Sequence, residues 1–84
     1  MRVELLGIAR ERAGIAELQL EAATLGELLA ALSVRCPAFG ELIAADRLAP
    51  SLAANLNGDR FISDPGTRLD EHDSVLILSA DAGG

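Results

Sequence analysis

Eighty-four residues, half of them hydrophobic, suffice for one domain with one core, near the lower end of what folds without staples. The single cysteine, Cys36, forms no internal disulfide and cannot by itself hold a zinc or iron–sulfur centre. A net charge of −6, with every basic residue an arginine and none a lysine, excludes a phosphate-backbone binder and fits a basic patch on another protein.

In chain order, "RVELLGIA" reads as a strand, with Val3 and Leu5 alternating against Arg2 and Glu4. "RERAGI" carries charge and a glycine and is expected to be a turn. "AELQLE" alternates strictly, Leu18 and Leu20 against Glu17, Gln19 and Glu21, as a half-buried strand paired to the first in a hairpin. "TLGELLAALSVRCP" is the main helix. Thr24 and Glu27 form a capping box, and Leu25, Leu28, Leu29, Leu32 and Cys36 make one apolar stripe. Pro37 stops the helix, and Arg35 suits its negative end.

"AFGELIAADRLAP" is expected to hold one helical turn around Glu41 to Ala45. "SLAANLNGDRFI" alternates Leu52, Ala54 and Leu56 before Asn57-Gly58, a strong hairpin signal. "SDPGTRLDEHD" is turn-rich, with Leu69 as its anchor, and "SVLILSA" closes as a strand. No stretch approaches the roughly 20 apolar residues of a membrane span, and Met1-Arg2 followed by Glu4 does not read as a secretory leader. A cytoplasmic location, with no membrane partner, is the expectation.

One helix covering one face of a mixed four- to five-stranded sheet, with a short second helix, is the α+β ubiquitin-like β-grasp arrangement. A split βαβ fold and a generic α+β sandwich are the alternatives. The last strand, apolar on both sides, fits a central position beside the first. The boundaries are a β-grasp domain over 1–79 and a flexible tail over 80–84, ending in Gly83-Gly84. Val75 and Ile77 should face the helix, while Leu76 and Leu78, with Leu6 beside them, should point to the open face. An apolar patch there suggests a partner surface.

"LLGIARERAG", "TLGELLAALSVRCPAF", "LNGDRF" and "TRLDEHDSVLILSADAGG" together resemble the opening strand, helix, Asn-Gly hairpin and tail of the ubiquitin-like sulfur carriers of the MoaD/ThiS type. The likeness covers most of the chain and is loosest over 38–52. Within that family the sequence resembles the molybdopterin synthase small subunit, with the cysteine-pathway carrier a close second. The tail Ser79-Ala80-Asp81-Ala82 lacks the two prolines usual in the molybdopterin branch. Asp-Glu-His-Asp replaces a glycine-containing turn, and Leu5-Leu6 stands for an aromatic pair.

The resemblance implies a reaction at the tail. The carboxylate of Gly84, presented by Gly83, is adenylated by a ubiquitin-activating-type adenylyltransferase (MoeB/ThiF-like) that uses ATP, and is converted to a thiocarboxylate. Sulfur then passes to a pterin precursor in molybdenum cofactor biosynthesis, on a larger, MoaE-like synthase subunit. Leu6, Leu76, Leu78, Ala80, Asp81 and Ala82 would contact these partners. The chain itself would bind no cofactor and catalyse nothing alone. The same likeness admits sulfur transfer to cysteine, thiamine or a secondary metabolite, or service as a protein modifier. Glycine suits the tail because it permits close backbone approach. Residues 80–84, extended at about 3.3 Å each, would reach roughly 16 Å.

Three other features are set aside. His72 lies among Asp70, Glu71 and Asp73 in one loop, without ligand-like spacing. Cys36 on the helix stripe reads as a buried, inert thiol. Arg10 and Arg12 read as exposed turn charges.

Overall fold

The computed structural model describes residues 1–83, and for Ala82 and Gly83 only the backbone. A five-stranded mixed sheet has the order β2-β1-β7-β5-β6, formed by β1 (Arg2–Leu5), β2 (Glu17–Gln19), β5 (Leu52–Leu56), β6 (Arg60–Ile62) and β7 (Ser74–Ser79). β1 and β7 run parallel at the centre, and every other pairing is antiparallel. β3 (Ile43–Ala44) and β4 (Arg47–Leu48) form a separate hairpin. This is the β-grasp fold.

The helix α2 (Leu25–Arg35) forms as its sequence dictates. The Glu27 amide donates to Thr24 Oγ1 at 3.2 Å, and Glu27 Oε1 accepts from the amide of Ala23 at 3.3 Å. Loop carbonyls satisfy two more first-turn amides: Leu25 donates to Thr67 O and Gly26 to Pro65 O. The stripe Leu25, Leu28, Leu29, Leu32 and Cys36 is buried against Val3, Leu5, Leu18, Leu20, Leu52, Ala54, Leu56, Val75 and Ile77. Phe39, fully enclosed, is the one aromatic among these aliphatic core residues.

Three elements differ from the sequence expectation. "RERAG" is not a turn: Ile8–Ala13 form a helix, α1, between β1 and β2, so these strands pair without a simple hairpin. Gly7 enters it at φ 60°, ψ −131°, a conformation open in practice only to glycine, and Gly14 closes it in the left-handed region. Ala9 is its one buried side chain, and a six-residue helix forms only with such tertiary support. The turn expected around Glu41 to Ala45 is instead a 3-10 segment over Pro37–Leu42, followed by β3. Pro37, which ends α2, also starts that segment, and Phe39 anchors it. Residues 80–83 are likewise not extended: Ala80–Gly83 form a single helical turn, α3. At about 1.5 Å rise per residue, such a turn projects less than half as far as an extended tail.

Candidate functional site: the open sheet face and the tail exit

Because β1 and β7 are parallel, their C-terminal ends meet at one pole of the sheet. There the Leu6 amide donates to Ile77 O at 2.9 Å before the chain turns at Gly7. β7 stops at Ser79, and the Ala80 amide donates to Ser51 O at 2.9 Å. Residues 80–83 therefore leave the domain between Leu6 on one side and the start of β5 on the other. Gly84, the residue expected to carry the chemistry, lies outside the described residues.

The strand registers define the face turned away from α2. Val75 and Ile77 point into the core, so their neighbours point outward. One cross-strand row reads Glu17, Glu4, Leu76, Asn55, Phe61. The next places Leu78 opposite Ala53. Leu76 and Leu78 are half-buried, while Leu6 and Phe61 are 46% and 53% exposed. The expected patch thus exists, and Phe61 extends it to the β6 edge. Asn55 was legible as an outward position from the Leu52, Ala54, Leu56 alternation, but only the β5–β7 and β5–β6 registers show that it lies between Leu76 and Phe61.

Charge is segregated on this face. Arg2 lies 3.0 Å from Glu17 and 3.5 Å from Glu4, at the β1–β2 side. The hydrogen bond from Arg2 holds the Glu17 carboxyl below its usual value, and Glu17 in turn raises Arg2. Two carboxylates share one guanidinium, so this border is net acidic. Beyond the tail exit, Asp81 is exposed, as are Arg10 and Arg12 on α1, with Arg12 paired to Glu41 at 3.1 Å.

At the opposite pole, Asn57 and Asp73 lock the loop that precedes β7. Asn57 Nδ2 donates to Asp73 Oδ1 at 2.9 Å, Asn57 Oδ1 accepts from the Ser74 amide at 2.7 Å, and Asp73 Oδ2 accepts from the Asp70 amide at 2.7 Å. These bonds hold the Asp73 carboxyl below the ordinary carboxylate range. The His72 imidazole lies 3.4 Å from Glu71, with both side chains exposed, and the His72 amide donates to Asp70 Oδ1 at 3.0 Å. Among the described residues no cluster of three metal-ligating side chains exists, and no helix is long and apolar enough to cross a membrane. Cys36 is buried in the core, away from the open face. A recess of about 210 Å³ beneath the β3–β4 hairpin is lined by Leu25, Leu48, Pro50, Leu52 and Ile62. Its one cationic group, Arg47, donates to Ser63 O at 3.3 Å.

The fold recurs in solved structures. Small archaeal modifier protein 1 (SAMP1) from Methanosarcina acetivorans superposes with a TM-score of 0.78 at 27% identity, over 99% of this chain and 94% of that one. In the BexX/CysO complex of Amycolatopsis orientalis the matching chain gives 0.79 at 22%, over 99% and 98%. A putative molybdopterin converting factor subunit 1 from Pyrococcus furiosus gives 0.76 at 21%, over 93% of each chain. No curated protein matches the sequence. The model of the ThiS family matches residues 3–84, through the final Gly-Gly. With its β-grasp sheet, its outward apolar face and its tail at the shared pole, the chain belongs to the ThiS family of ubiquitin-like sulfur carriers.

Proposed function

We propose that the carboxylate of Gly84 is the reacting group. A ubiquitin-activating-type adenylyltransferase joins it to the AMP moiety of ATP, releasing pyrophosphate. Sulfide then displaces AMP and leaves a thiocarboxylate directly. A persulfide donor instead forms an acyl disulfide with loss of AMP, and a second thiol cleaves its S–S bond, freeing the thiocarboxylate and leaving the donor as a disulfide. In the reading proposed first, that sulfur is delivered to a pterin precursor in molybdenum cofactor biosynthesis, with this chain as the small subunit of molybdopterin synthase. The open face would seat the larger subunit and the activating enzyme in turn, through Leu6, Leu76 and Leu78, while Ala80, Asp81 and Ala82 lead the tail into the partner. The chain contributes position and a carboxyl group, and its partners contribute catalysis.

The observation that carries this reading is the family match running through Gly83-Gly84, on a fold that brings the tail out beside an unpartnered apolar surface. The helical turn Ala80–Gly83 does not oppose it. Four residues are far too few for a helix that is stable alone, so a partner can draw the turn out at small cost and recover the longer reach.

A second reading is favoured by the tail itself. Ser79-Ala80-Asp81-Ala82 contains no proline, where the molybdopterin branch usually has two. Sulfur delivery to cysteine, thiamine or a secondary metabolite, or conjugation to other proteins, uses the same activated carboxyl. The solved CysO and SAMP1 structures give that reading its support.

The test incubates a Cys36→Ala variant with the activating enzyme, ATP and a sulfur source, then alkylates the product and analyses the C-terminal peptide. Alkylated sulfur on Gly84 is expected. Deleting Gly83-Gly84 should abolish sulfur transfer while leaving Tm unchanged. Retained transfer in the truncated chain would sink the proposal. The identity of the acceptor that takes the sulfur then separates the two readings.

A further inference from the structure

At the pole opposite the tail exit, the β5–β6 turn carries a chemically reactive pair. Asparagine is among the heat-labile side chains, and Asn57 is the one asparagine of this chain followed by glycine. Both Asn57 and Gly58 are exposed. In an unfolded chain a glycine in that place leaves its own nitrogen unhindered. The Gly58 nitrogen gives its proton to solvent base and bonds to Asn57 Cγ. The Cγ–Nδ2 bond breaks, ammonia leaves, and a five-membered succinimide remains. Water then adds to either imide carbonyl and opens the ring, giving aspartate or isoaspartate.

The fold opposes this reaction twice. Asn57 and Gly58 lie at φ 57° and 68°, and the Asp59 amide donates to Leu56 O at 3.0 Å across them. Ring closure needs Asn57 Cβ and the Gly58 nitrogen nearly eclipsed about the Cα–C bond, and a turn of this mirror-image type holds them far from that. The carboxamide is also gripped at both ends. Nδ2, the leaving group, donates to Asp73 Oδ1 at 2.9 Å, and Oδ1 accepts from the Ser74 amide at 2.7 Å. The backbone amide of Asn57 donates to Ser74 O at 2.8 Å, and the Asp70 amide fixes Asp73 in turn. Cγ cannot swing toward Gly58 until the loop before β7 opens.

We propose that Asn57 is a site of spontaneous deamidation whose rate is set by its lock on Asp73 and Ser74. Opening of that lock admits the reaction, and neither product lets it close again. Aspartate sets a carboxylate against Asp73 where an N–H stood, so like charges meet. Isoaspartate adds a methylene to the backbone of a tight turn whose geometry fixes the strand register. The change is irreversible and falls away from the tail, so it limits how long a chain lasts and leaves the terminal carboxyl untouched. It is independent of the sulfur-carrier reading.

The test holds the full chain in mildly alkaline buffer below its melting temperature, beside the same chain unfolded in urea. Trypsin releases residues 48–60 as one peptide, in which Asn55, followed by leucine, is the internal control. Tandem mass spectrometry locates the amide lost, and isoaspartyl methyltransferase counts the isoaspartate. Folded wild type should lose the Asn57 amide more than about a hundredfold more slowly than the unfolded chain, the factor for two hydrogen bonds of which one is to a charged group. Asp73→Ala should speed loss from the folded chain by about ten- to a hundredfold. Asp73→Asn keeps an acceptor for Nδ2 and should fall between; it carries the comparison if circular dichroism finds Asp73→Ala unfolded. Asn57→Asp, which reproduces one product, should melt below wild type. The proposal is overturned if folded wild type reacts within a factor of about three of the unfolded chain, or if the folded Asp73 variants react no faster than wild type. An Asn57→Asp chain as stable as wild type would also overturn it.

Discussion

Asn57 does three jobs that no other side chain could combine at that position. It takes φ 57° ahead of Gly58 at φ 68°, the paired left-handed conformation of a tight hairpin turn. Its amide donates to Asp73, and its oxygen accepts from Ser74. Asn57→Ala should therefore cost about 2–3 kcal/mol, combining a left-handed alanine with two lost hydrogen bonds, and urea denaturation will measure it. Asn57→Gly keeps the turn and should cost less. Asp73 adds a pH dependence of definite sign. Its folded pKa lies below its unfolded value because Asn57 and the Asp70 amide bond to the carboxylate. Its contribution is thus complete above the unfolded value and is lost as pH falls through the ordinary carboxylate range to the folded pKa. The stability gap between wild type and Asp73→Asn should be present at about pH 7 and should close by about pH 2, as followed by thermal melts across that range.

At the scale of elements, α2 and α1 form for different reasons. Helix α2 carries its own instructions: a capping pair, a continuous leucine stripe and a proline stop. Thr24→Ala should destabilise the protein by about 1 kcal/mol, measured by urea unfolding, through loss of the bond to the Glu27 amide. Helix α1 has six residues and one buried side chain, and two glycines in positive-φ conformations frame it. Gly14, with arginines in the turn before it, was the one local sign of a helix end. Ile8, two alanines and three charged residues, however, show no apolar period from which a helix could be read. The β3–β4 hairpin was missed for a similar reason. Its turn is Ala45-Asp46, at φ 53° and 63°, where asparagine and glycine are the residues that announce such a turn.

For the molecule as a whole, the sheet separates stability from function by face. The core side takes α2, the 3-10 segment and Ala9 of α1, and it is aliphatic and buried. The outer side keeps Leu76, Leu78, Leu6 and Phe61 at least partly exposed beside an acidic border. Ala80 and Asp81 add no side chain to the buried core. This is why removal of Gly83-Gly84 should leave the melting temperature unchanged while ending sulfur transfer, as calorimetry and the alkylation assay together will show.

The sequence by itself determined the fold class, the main helix with its cap and stripe, the Asn57-Gly58 hairpin and the inward and outward residues of the last strand. Each of these is written in a local period or a local turn chemistry. It also marked Gly83-Gly84 as the expected reacting end, by likeness of the tail. Only the tertiary structure decided that α1 is a helix, that Ala80–Gly83 make a turn, and that Asn55 lies between Leu76 and Phe61. Those facts depend on strand register and on contacts between residues far apart in the chain, and no local pattern encodes them.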